Sequence, residues 1–205
     1  MSDPRKPIFD LVRADRKRRG LTLPQPLVDA GDAWLDSCGF PREVAPSEPA
    51  WVSAGRLLIG EREIPGPQHN PKIVSWWQRG ASWFKDDETP WCGAFVKHCM
   101  ESAGIAYPKE FPRAAAWATW GVKCTAQVGA VGVKQRTGGN HVFIIIGETP
   151  DKRFYKVLHG NSGNMVCIGD IPKADVFAIR WPVGLPQPLL PLPRMAPGTI
   201  SRNEA

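Results

Sequence analysis

Glycine and proline break this chain into short pieces. There are 20 glycines and 21 prolines among 205 residues, so a fifth of the positions punctuate the sequence and every helix or strand between them must be brief. Three regions emerge from reading between the breaks. In residues 1–45, Ile8, Leu11 and Val12 recur at helical spacing, and a second helix opens at Pro24 and Pro26 with Leu27, Gly31, Trp34, Leu35 and Cys38 on one side. Two short helices are predicted there, ending at Gly39 and a proline-bearing connector from Pro41 to Pro49. The second region, about 47–121, reads as helical. Ser47 is the expected N-cap with Pro49 in the first turn, and Trp51, Ala54 and Leu58 share a face before Gly60. Asn70-Pro71 opens a helix bearing Ile73, Val74 and Trp77 that closes at Gly80, and Thr89-Pro90 opens another running through Phe95, Val96, Cys99 and Met100 to Gly104. A further segment, Ala114 to Trp120, stops at Gly121.

The period then switches. Residues 127–134, 141–147, 153–159, 165–169 and 176–181 are short runs rich in β-branched and aromatic residues, separated by turn formers. Strands follow helices instead of alternating with them, which predicts an α+β fold with an antiparallel sheet. From Pro182 to Ala205, six of 24 residues are prolines, and 183–205 is expected to be an extended or draped tail. The domain reading is a short helical segment over 1–45, a main domain over 46–182, and the tail.

Composition fits that scheme. Hydrophobic residues make up 42% and charged residues 22%, with nine tryptophans, enough apolar surface for a substantial core and not the composition of a disordered chain. The apolar run Val142 to Ile146 is far below the roughly 20 residues of a membrane-crossing helix. The N-terminal sequence lacks the apolar stretch of a secretory signal, so synthesis in the cytosol is expected. Five cysteines, at 38, 92, 99, 124 and 167, form no Cys-x-x-Cys pair and signal neither a disulfide framework nor a zinc ribbon. Residues 1–20 hold seven basic and three acidic side chains, which include the run Arg16 to Arg19. Such a run is ordinarily a solvated helix end. Its functional reading is a basic binder of envelopes or nucleic acid, but it carries no interleaved aromatics and no recognisable nucleic-acid motif.

The chemistry concentrates at Cys92. Two residues after Pro90, it falls in the first turn of its predicted helix, where unpaired N–H groups and the macrodipole favour a thiolate and an oxyanion. The plain alternative is a buried small hydrophobe, which is how Cys99, farther along the core side, is read. A nucleophilic cysteine needs a base held by a third polar group. His141 opens the apolar strand 142–146 after Gly138-Gly139-Asn140, a position from which a side chain can reach a neighbouring helix end, though a solvated strand-end histidine has the same signature. His98 and His69 read as surface or structural. The run after Tyr155 ends in His159-Gly160-Asn161-Ser162-Gly163-Asn164. Alternation places 159 and 161 on one face, so either side chain is a candidate to hold the imidazole, unless the segment is only a turn.

The segments from Gly60 to Pro71, Asp87-Glu88-Thr89-Pro90-Trp91-Cys92-Gly93-Ala94-Phe95-Val96, Gly139-Asn140-His141-Val142 and His159-Gly160-Asn161 resemble the CHAP-like cysteine amidase and peptidase family (cysteine, histidine-dependent amidohydrolase/peptidase) common in phage lysins. The resemblance covers about residues 50–182. It implies a papain-like fold in which the cysteine helix packs on an antiparallel sheet bearing the histidine, with Cys92 as nucleophile, His141 as base and then acid, and Asn161 as the orienting residue. Two positions depart from the family pattern: Asn140 stands where glycine is usual, and His159 where relatives carry a small or acidic residue. Related NlpC-type peptidases use a second histidine as orienter, a role open to His159. Glu88, Trp91, Asn140 and His159 are the candidate substrate-binding residues, with Trp91 equally a core candidate. The implied substrate is a peptidoglycan amide bond, with no metal or cofactor, no nucleic-acid partner, no stable membrane insertion and a monomeric enzyme. A phage or prophage endolysin is the implied identity, made in the host cytosol and released to the wall. The same chemistry also serves cysteine peptidases and acyltransferases acting on other substrates. A zinc amidase is disfavoured, since the histidines show no His-Glu-x-x-His pairing.

Overall fold

The computed structural model describes residues 6–19, 24–37 and 48–198. Cys38, the Gly39 stop, most of the connector with Ser47, and the tail beyond 198 lie outside the described residues. Contacts divide the chain into two compact units, 1–47 and 48–205. The first holds helices α1 (Lys6–Arg18) and α2 (Gln25–Ser37), which meet where the Phe9 ring comes close to Gly31.

The second unit is α+β. Helices α3 (Ala50–Arg56), α4 (Pro71–Ser75) and α5 (Cys92–Ser102) precede strands β1 (Val122–Lys123), β2 (Val131–Arg136), β3 (Gly139–Glu148), β4 (Phe154–Ser162), β5 (Met165–Pro172) and β6 (Val176–Trp181). The strands form one antiparallel sheet in the order β1-β6-β2-β3-β4-β5. Several boundaries differ from the sequence expectation. α3 has Pro49 itself as N-cap, so that proline precedes the helix. α4 ends at Ser75 and continues as turns to Gly80, which is left-handed at φ 117°. Residues 114–118 form a 3-10 turn, consistent with a run of alanines too short to amortise helix nucleation. The expected strand over 127–134 begins only at Val131, because Gly129 at φ 90° and the bond from Ala130 N–H to the Gln127 carbonyl make a turn. β1 is a two-residue strand without a period to betray it.

Tryptophans fill the space between helices and sheet. Trp51, Trp76, Trp77, Trp91, Trp117 and Trp181 are all buried; the indole N–H of Trp51 donates to the Gly129 carbonyl at 2.8 Å and that of Trp117 to the Phe111 carbonyl at 3.1 Å. α5 packs against β3, β4 and α3, with Phe95 and Cys99 beside Gly55 and Leu158. Burial drives the thiol of Cys99 well above its usual range, as expected of a core cysteine. Residues after Trp181 follow the sheet. Gln127, itself buried, accepts from the Leu189 N–H, Glu148 exchanges backbone bonds with Pro193 and Met195, and the Gly198 N–H donates to Asp170.

Candidate active site

Cys92 is the first residue of α5, and Trp91 is its N-cap. The expected opening at Thr89 is instead a turn, in which the Thr89 N–H donates to Asp86 Oδ1 at 2.6 Å. Next to it, Asp87 is completely buried and accepts from the N–H groups of Ile64 and Asn70 and from Nδ1 of His69, each at 2.9 Å. Burial opposes its charge, but these three donors outweigh it and hold the carboxyl below the usual range. His69 therefore ties the 61–70 loop to the approach to Cys92, a structural role. At the second residue of α5, Gly93 lies so close to the Phe111 carbonyl that a Cβ would meet its oxygen.

His141 lies near the start of β3, opposite Lys134 of β2. Its Nε2 is 3.0 Å from Nδ1 of His159 on β4, and the two rings meet edge to face. Both histidines are buried. Desolvation, then the positive charges of Lys134 and Arg136, push the pKa of His141 down to about 3. It is a neutral imidazole at physiological pH.

The hydrogen bond to His141 is thus made by His159, and Asn161 is engaged elsewhere. Asn161 is left-handed at φ 57°, and the β4–β5 register shifts between His159 and Ser162. The alternation that would have kept 159 and 161 on one face is broken there. With its amide oriented to satisfy both ends, the Asn161 nitrogen donates to Glu63 Oε1 at 3.0 Å and its oxygen accepts from the Trp91 N–H at 3.2 Å. Gly160, between them, touches the Trp91 ring and Phe95. Residues 159–161 of β4 therefore hold His141 on one side and the start of α5, with Cys92, on the other. Cys92 is 4% exposed and His141 1%.

Trp91 is a fully buried core residue, not a groove wall. Its indole donates to Glu63 Oε1 at 2.8 Å. Glu63 also borders an open cleft of about 610 Å³, whose lining includes Arg62, Glu88, Asn164 and Met165. Desolvation raises the Glu63 pKa, the Trp91 hydrogen bond works against this, and the charges of Asp87 and Glu88 add to it. Glu88 is exposed on the cleft, and Asn140 is half-buried in the ladder opposite Gln135. Glu63 and Cys167, which lies 3.4 Å from His159 Nε2, are members of this cluster that sequence spacing did not single out. Their places depend on a loop fold and on a bulge, and neither leaves a periodic signal. Among the described residues, no group of three or more His, Cys, Asp or Glu side chains is placed to hold a metal ion, and no helix is long and apolar enough to cross a membrane. No family model, curated protein or solved structure matches this chain.

Proposed function

We propose that this protein is a cysteine-dependent hydrolase that cleaves an amide bond of peptidoglycan, a CHAP-like endolysin with a papain-like arrangement of helix and sheet. The observation that carries the reading is the 3.0 Å contact between His141 Nε2 and His159 Nδ1. It orients a buried neutral imidazole on the strand that packs beside the Cys92 helix, the arrangement a thiol nucleophile and its base require.

Because the imidazolium is disfavoured, the resting pair is a thiol and a neutral imidazole. Sγ of Cys92 attacks the substrate carbonyl carbon as its proton passes to Nδ1 of His141. The oxyanion is stabilised by backbone N–H groups of the first turn of α5 and by the helix dipole. His141 holds its positive charge only transiently, with Nε2–H donating to His159. Collapse breaks the C–N bond, and the Nδ1 proton leaves with the amine, giving a thioester. Water, deprotonated by His141, then attacks the thioester and releases the acid and the thiol. With Cys92 and His141 nearly closed to solvent, the side chains over them must move aside for a polymer to enter. The protein is synthesised in the cytosol and acts on the wall after release.

Mass spectrometry of peptidoglycan digested by wild type and by Cys92→Ala at matched concentration tests this. New amino termini, paired with new lactyl or peptide carboxyl termini and seen only with wild type, are expected and identify the bond. Intact walls of several chemistries after wild-type treatment would remove the assignment.

A further inference from the structure

The hydrogen-bonded chain continues beyond His159. Its Nε2 lies 3.4 Å from Sγ of Cys167, its directly opposite neighbour across the β4–β5 ladder. That sulfur lies 3.8 Å from the carbonyl oxygen of Ser162. Of these links only the one to the Ser162 carbonyl is one-way by its chemistry, and it sets the direction of the other two. A carbonyl oxygen only accepts, so the Cys167 S–H is the donor to Ser162. Having spent its proton there, the sulfur accepts the Nε2–H of His159. A neutral imidazole protonated at Nε2 has a bare Nδ1, and that nitrogen accepts the Nε2–H of His141. Nδ1 of His141 is then left unprotonated.

We infer that Cys167 is a positioning residue, which sets the tautomer of His159 and through it presents Nδ1 of His141 as the proton acceptor. The inference rests on the reading of Cys92 and His141 as nucleophile and base. Burial raises the Cys167 thiol above its usual range and the Ser162 bond partly opposes this, so the proton that the chain needs stays on sulfur at neutral pH. The charged groups acting on His141, Lys134 and Arg136, come from β2 and disfavour a second proton on the ring, whichever nitrogen carries the first. They leave the choice of tautomer to the hydrogen bonds.

Nitrogen-15 NMR of the histidine rings in full-length protein tests the inference without substrate. Wild type is expected to show Nε2 protonated and Nδ1 bare in both His159 and His141. Cys167→Ala is expected to move His159 toward a mixture of tautomers, and Cys167→Ser, whose hydroxyl both donates and accepts, to restore the wild-type pattern. On peptidoglycan, Cys167→Ala is expected to lower kcat about tenfold at unchanged KM, the scale of one lost hydrogen bond, with recovery in Cys167→Ser. If the alanine variant does not fold, Cys167→Val fills the volume and carries the same expectations. An unaltered His159 tautomer in a folded Ala or Val variant would overturn the inference. Wild type inert on every wall would overturn the hydrolase reading alone, because the NMR result still decides whether Cys167 sets the tautomer.

Discussion

His141 couples the candidate site to the stability of the fold. Burial, Lys134 and Arg136 depress its pKa from 6.5 to about 3. Between those values the unfolded chain binds more protons than the folded one, so this histidine makes stability rise with pH. Its contribution is fully present above about pH 6.5 and falls away as pH drops toward 3, by up to about 1.4 kcal/mol per pH unit. Urea denaturation from pH 7 to 4 is expected to give a falling midpoint in wild type and a shallower fall in His141→Gln. Equal slopes in the two proteins would contradict the depressed pKa. Asn161 makes a different prediction. At φ 57° it bears a backbone conformation that costs an L residue with a Cβ roughly 1–2 kcal/mol, and its amide bonds Glu63 and Trp91. Asn161→Gly should lose the amide bonds but be relieved of the backbone strain, while Asn161→Ala should lose the bonds and keep the strain. Alanine is therefore expected to be the less stable by about 1 kcal/mol in the same assay. That His159 and not Asn161 meets His141 was not legible in the sequence. Alternation treats the two positions alike, and only the left-handed turn of one residue separates them.

Helix α5 is placed by what it cannot accommodate. A Cβ on Gly160 would lie 2.5 Å from the Trp91 ring and 2.6 Å from the Phe95 Cβ, so the bare strand backbone lets the start of the helix approach. Gly160→Ala is expected to destabilise by about 1–3 kcal/mol, the range for overpacking, and to slow the proposed hydrolysis further by displacing Cys92 from the His141 strand. Thermal melts and initial rates read the two effects separately. A Gly160→Ala protein with wild-type melting and rate would show that α5 does not depend on this contact. The helix itself was legible: Pro90 ahead of it, Phe95, Val96, Cys99 and Met100 at helical spacing, and Gly104 left-handed after it at φ 69°. Its cap falls two residues later than Thr89, at Trp91, because Thr89 has the chemistry of a cap but its backbone N–H goes to Asp86.

Across the whole second unit, buried charge marks where the chain after β6 closes on the sheet. Lys156 and Asp170 pair at 2.5 Å with only 4% and 3% of their side chains exposed, and Asp170 also receives the Gly198 N–H at 2.8 Å. Breaking such a pair leaves one uncompensated charge, whereas replacing both partners by apolar groups is often nearly neutral. Lys156→Met is expected to lose about 3–5 kcal/mol and Lys156→Met/Asp170→Leu to recover most of it, measured by denaturant unfolding. A double variant no more stable than the single one would show that the pair is not what the sheet edge depends on.

Helices before strands, breakers between them and short runs of β-branched and aromatic residues carried the α+β class, because these are local properties of the backbone and of side-chain burial. The same locality put Cys92 at a helix start and His141 at the head of an apolar strand. Tertiary structure alone decided which partner His141 meets, how Glu63 reaches Trp91 and Asn161, and how Cys167 comes to lie beside His159. Each of those contacts joins residues separated by a bulge, a loop or many positions of chain. A single left-handed residue or register shift redirects them at a cost of only about 1–2 kcal/mol, too little to leave a mark on composition or period.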